Sequence, residues 1–160
     1  MKKIIFFILI LFPSTLLAGY GSGELKLTDG AVRAFHKYIS DPKGSPGTAV
    51  PLRAVISHNG SYVHWFYCPH SNCRPSGDKE LVKICESKQN NPCSTFAVRR
   101  SVKWKNGINP GGKAASFKKN MSLDEVKEKL TNLGFYEPNN IKKKSKSNTS
   151  NYIVKYFDSK

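Results

Sequence analysis

Apolar residues recur at helical spacing at Ala31, Val32, Phe35 and Ile39, with Tyr38 beside them and Thr28 or Asp29 placed to cap. This spacing predicts a helix over residues 29–40, stopped by Asp41-Pro42. Pro42 to Pro51, with three prolines and two glycines, reads as a loop. The period then shortens to two. Leu52 to Ser57 and Ser61 to Tyr67 are strand-forming runs joined through His58-Asn59-Gly60, and Asn-Gly between such runs is a strong hairpin signal. On the second arm Tyr62, His64, Phe66 and Cys68 share one face, and Val63, Trp65 and Tyr67 share the other. Both faces are partly apolar, so such a strand is covered on both sides or presents aromatics on one.

A second helix is expected over 77–88, capped by Ser76, with Asp78 and Glu80 in the first turn where the helix dipole favours acids. Leu81, Ile84 and Cys85 mark its buried side, with Val82 adjacent. Ser94 to Val98 and Ser101 to Trp104 read as strands. A single long strand would set Arg100 within the apolar face of Phe96, Val98, Val102 and Trp104, so a hairpin turning at Arg99-Arg100 fits better. Lys105 to Asn120 is a basic, glycine-containing loop. Ser122 and Glu125 have the spacing of a capping box, and Leu123, Val126, Leu130 and Leu133 carry a third helix over 122–133 to Gly134.

These elements predict an α+β fold: one domain over 28–137, built from a small, mainly antiparallel sheet of two hairpins with about three helices. Residues 19–27, with three glycines and a serine, read as a flexible lead-in. Residues 138–160 read as a basic mobile tail, in which Tyr152 to Phe157 can form an edge strand.

Residues 1–18 change the compartment. Met1-Lys2-Lys3, an aliphatic and aromatic run from Ile4, and a polar turn before Leu16-Leu17-Ala18 have the three-part layout of a secretory signal. The apolar run is short for a membrane span, so the mature chain is expected to carry none and to reside in the periplasm or be secreted. Tyr20 stands where a lipoprotein signal would need cysteine.

Four cysteines behind an export signal argue for disulfides, and four allow three pairings. The sequence-local pairing joins Cys68 to Cys73 and Cys85 to Cys93, closing loops of six and nine residues. Zinc bound through Cys68, His70, Cys73 and His64 competes with oxidation for the same thiols. A redox dithiol would show two residues between its cysteines, which neither pair does. No cofactor or metal is expected. The pattern Leu81, Cys85-Glu86, Cys93, Phe96-Ala97 and Val102 to Trp104 resembles a helix-cysteine, cysteine-strand module of small exported bacterial proteins. The resemblance implies one helix pinned by a disulfide to the first strand of a hairpin, and implies no activity.

Lysine and arginine number 26 against 11 acidic residues, a formal charge of +15, of which about +13 remains without Lys2 and Lys3. That balance favours anionic polymers or an anionic membrane surface as partners, while export and the lack of any recognition motif disfavour nucleic acid. The basic clusters are Arg99, Arg100, Lys103 and Lys105, then Lys118-Lys119, then Lys142 to Lys144 with Lys146. Trp65, Arg99, Arg100, Lys103 and Trp104 are the candidate binding residues, as a basic surface edged by aromatics. His36, His58, His64 and His70 lack a motif-spaced acid or nucleophile. The leading expectation is therefore an exported binding or envelope-associated protein. The alternatives are a small hydrolase using His64 or His70, and a cationic toxin acting on membranes.

Overall fold

The chain forms α1 (Asp29–Ser40), β1 (Val50–Ser57), β2 (Val63–Cys68), α2 (Asp78–Gln89), β3 (Cys93–Val98), β4 (Ser101–Val102) and α3 (Leu123–Asn132). The computed structural model describes residues 19–40, 50–68 and 78–138. All strand pairs are antiparallel, in the order β2-β1-β3-β4. The two expected hairpins are thus joined edge to edge by β1 and β3, with α2 as the connection.

Strand β1 is covered on both faces and is buried from Pro51 to Ser57. Its Ala54 and Ile56 join a cluster with Val32, Phe35 and Ile39 of α1 and Val126 and Leu130 of α3. Its Val55 points the other way and packs with Cys85 of α2 and Cys93. The alternation of one strand therefore creates three layers, with α1 and α3 on one side and α2 on the other. In the larger core Phe35 meets Phe96 and Phe117 edge to face, each at 5.2 Å between centroids, and Phe96 meets Phe135 the same way.

The two layers differ in thickness. Leu81, Val82 and Ile84, expected on the buried side of α2, are only half-buried, and Cys85 alone is fully enclosed. The Cys85–Cys93 disulfide, with 6.1 Å between Cα atoms, ties α2 to the first residue of β3. This is the helix-to-hairpin tie that the resemblance implies. Cys68 is also disulfide-bonded, whereas its expected partner Cys73 lies outside the described residues. Residues 1–18 and the edge strand expected over 152–157 lie outside them too.

Residues 19–27 depart from the flexible lead-in that their glycines suggest. Tyr20 bridges Thr95 and Ser22 bridges Lys105, both in parallel sense, and Leu25 and Leu27 are buried. The glycine at position 21 serves close approach: a Cβ there would lie 2.0 Å from Cε3 of Trp104. The Trp104 indole N–H in turn donates to the Gly23 carbonyl at 2.9 Å.

Two bulges shape the sheet. Opposite Ala54-Val55 the chain of β3 carries Phe96 as an extra residue, so Phe96 and Ala97 both reach the main core. The Phe96 carbonyl accepts from both Lys103 and Trp104, at 2.7 and 3.3 Å, which ends regular pairing of β4 at Val102, short of the expected Trp104. In β1 the extra residue is Leu52, whose carbonyl is turned toward the β3–β4 turn. Helix α3 begins as expected: Glu125 N–H donates to Ser122 Oγ at 3.3 Å, and Ser122 N–H donates to Glu125 Oε2 at 2.6 Å.

Candidate functional site

The site is built at the turn between β3 and β4. Arg99 adopts a left-handed conformation with φ 51°, unfavourable for a side chain larger than glycine. Two contacts hold it there: its N–H donates to the Leu52 carbonyl at 2.8 Å, and its own carbonyl accepts from the Tyr38 hydroxyl at 2.6 Å. Arg99 is exposed. Arg100 is half-buried and turns back onto α1, donating Nε–H to the Ile39 carbonyl at 2.7 Å. A cation at the C-terminal end of a helix meets unpaired carbonyls and the negative end of the helix dipole, so Arg100 fastens the turn to α1.

Other segments close on the same spot. Phe117 N–H donates to the Arg100 carbonyl at 2.7 Å and Ser116 bridges Ser101, which brings Lys118 and Lys119 beside the turn. His36 in α1 hydrogen-bonds the Met121 carbonyl through Nε2 at 3.0 Å, fixing the far end of that segment. The last turn of α1 supplies Lys37, whose carbonyl accepts from the Tyr67 hydroxyl at 3.1 Å. Tyr67 is half-buried, and its ring stacks on Tyr38 with an interplanar angle of 17°. Lys37, Arg99, Arg100, Lys118 and Lys119 thus converge from three stretches of chain, and Tyr67 borders them as the aromatic edge.

Charge at this end is little compensated. Among the described residues no carboxylate forms an ion pair with any of the five cations. Glu125 lies within electrostatic reach of Lys118, but it is engaged by the Ser122 backbone and side chain, the main cause of its lowered pKa. Tyr38 beneath the turn is pushed well above the ordinary tyrosine range by burial, and remains a neutral hydroxyl donor.

The predicted binding residues do not form one patch. Arg99 and Arg100 lie at the turn, while Trp104 is 1 % exposed and belongs to the main core. The packing of its ring against Phe96 and over Gly21 outweighs its nearness in sequence to lysines. Lys103 is half-buried between Val102 and Trp104. Trp65 lies on β2, two strands away from β3, and lines a different concavity. Sequence reasoning missed Lys37, noted Tyr67 only as an aromatic on one face of its strand, and treated Lys118-Lys119 as a separate cluster. The only local signal was the pairing of basic doublets, since the contacts that join them are backbone bonds between segments with no periodic pattern.

A concavity of about 500 Å³ runs between α1 and the start of β2, lined by Gly30, Ala31, Ala34 and residues 61–65. His64 stacks with Tyr62 at 6.4 Å, and burial, then Lys88, lowers its pKa. Among the described residues no carboxylate lines this groove, and none there orients or charges His64. Of the residues weighed for zinc, Cys68 is disulfide-bonded, and His70 and Cys73 lie outside the described residues. Among the described residues no helix is long and apolar enough to cross a membrane. The chain matches no known protein family model, no characterised protein and no solved structure.

Proposed function

We propose that this is an exported binding protein, periplasmic or secreted, that holds an anionic polymer through the basic end formed by α1 and the β3–β4 turn. The observation that carries this reading is the convergence of Lys37, Arg99, Arg100, Lys118 and Lys119 on one end, none of them ion-paired to a described carboxylate. Such a cluster in a protein of high positive charge raises the local concentration of polyanions and speeds their capture. Tyr67 adds an amphipathic surface at its border, and the Cys85–Cys93 disulfide fits an oxidising compartment outside the cytoplasm.

The test is binding of the oxidised protein to long-chain polyphosphate at low salt, with anionic lipid vesicles as the comparison. Replacing Lys118 and Lys119 together by serine should weaken polyphosphate binding by roughly five-fold per lysine, with unfolding unchanged. Unaltered affinity would remove the basic end as the site. Tighter binding to vesicles than to polyphosphate would make the anionic partner a membrane.

A further inference from the structure

The two edges of the sheet are treated differently. At the β4 edge, Ser101 bridges Ser116 and Val102 N–H donates to the Ala115 carbonyl at 3.0 Å, so the chain covers its own strand. The β2 edge has no such cover among the described residues at Val63 and Trp65. Ser57 N–H donates to the Tyr62 carbonyl at 3.1 Å, which turns Tyr62 toward β1. With unbroken pairing from Ile56↔Val63 to Ala54↔Trp65, antiparallel alternation then directs the N–H and C=O groups of Val63 and Trp65 outward. The strand also lacks the usual guards of an edge: Val63 to Cys68 contains no proline and no charged residue.

Behind this edge lies the groove against α1, floored by the small residues Gly30, Ala31 and Ala34 and walled by Val63 and Trp65. Cations stand beside it on α1, where Arg33 and Lys37 are exposed and flank Ala34 along the helix, while Lys88 is felt at His64 from the α2 face across the sheet. Asp29, next to Gly30, accepts from Tyr136 and pairs with Lys127.

We infer that β2 is a docking strand for an extended acidic segment of a partner polypeptide, which adds to the sheet edge, seats an apolar side chain in the α1–β2 groove and presents carboxylates to Arg33 and Lys37. Strand addition supplies main-chain hydrogen bonds for affinity, and the groove and its rim select the alternating side chains. Two other occupants fit the charge less well. A second copy would bring a β2 strand without acids, and the strand-patterned residues 152–157 of this chain follow the lysines at 142–144 and 146. The inference does not rest on polyanion binding at the β3–β4 turn.

The experiment uses the full oxidised chain with an end-blocked octapeptide alternating aspartate with valine and phenylalanine, and a control with lysine for aspartate. Amide chemical shifts and exchange are followed at Val63 and Trp65. The acidic peptide should bind at least ten-fold more tightly than the control and protect both amides. Replacement of Ala34 by phenylalanine, which fills the groove, should cost ten-fold or more in affinity. So should the paired variant Arg33→Ser with Lys37→Ser, whose exposed positions leave folding intact. Lys118→Ser with Lys119→Ser should bind the peptide as the parent does. Equal binding of the two peptides, or binding without change at Val63 and Trp65, would overturn the inference. Protection of those amides before peptide is added would also overturn it, marking the chain's own segment if independent of concentration and a second copy if it rises with concentration.

Discussion

Arg99 shows how a backbone conformation that costs stability can present a cation at the proposed binding end. Its left-handed backbone costs an L-residue about 1 kcal/mol relative to glycine, and that conformation is held by Leu52 and Tyr38 while the guanidinium stays exposed. Replacing Arg99 by glycine should raise stability by up to about 1 kcal/mol in urea unfolding and weaken polyphosphate binding. A destabilised variant would mean that the side chain itself supports the turn. Tyr136 and Asp29 form the second informative pair. The Tyr136 hydroxyl donates to Asp29 Oδ1 at 2.5 Å, and this bond is the chief cause of the lowered Asp29 pKa and of a Tyr136 pKa pushed up to about 12. A carboxyl whose pKa is depressed by folding contributes stability at pH above its unfolded value, and that contribution is lost as pH falls through the folded value. Tyr136→Phe should therefore cost about 1 kcal/mol at neutral pH, discounted because Asp29 is 30 % exposed, and the difference should shrink below about pH 4. A gap constant between pH 7 and pH 2.5 would show that the hydroxyl acts independently of Asp29 ionisation.

At the scale of elements, the disulfide matters most where burial is thinnest. Helix α2 encloses Cys85 but leaves Leu81, Val82 and Ile84 half-exposed, so its attachment to the sheet depends on the bond to Cys93. Cys85→Ala should lower stability by about 2–3 kcal/mol, a drop the loop-entropy model assigns to a loop of this size. Peptide mapping without reductant should recover Cys85 joined to Cys93, and a Cys68–Cys85 link would refute the layout. The three helices and both hairpins were legible because periodicity, capping and turn chemistry agreed locally: Ser122 with Glu125, Asn59-Gly60, and Phe35 with Ile39 each fit one geometry. The lead-in was not legible. Glycine reads as freedom in a single sequence, whereas the one at position 21 is needed because the Trp104 ring occupies the place of a side chain. The retraction of β4 to Ser101–Val102 was hidden for a related reason, since the Phe96 bulge leaves no mark in the alternation of residues.

At the scale of the whole molecule, formal charge and cysteine count set the class of partner and the compartment to expect, but not the surface. The predicted site scattered because sequence proximity is a poor guide to proximity across a sheet: Trp104 went inward, Trp65 went to the far edge, and Arg99-Arg100 met Lys37 and Lys118-Lys119 through tertiary hydrogen bonds. Three layers bring the end of α1, the β3–β4 turn and the segment before α3 to one end of the molecule, concentrating charge that is dispersed along the chain. The most direct measurement is the dependence of polyphosphate affinity on salt concentration for the parent and for Lys118→Ser with Lys119→Ser. A polyanion held at this end should lose affinity steeply as salt rises, and the variant's slope should be shallower by roughly 0.7 for each lysine removed. Parallel slopes, or affinity insensitive to salt, would contradict the proposal that the charge gathered at the β3–β4 turn is what binds.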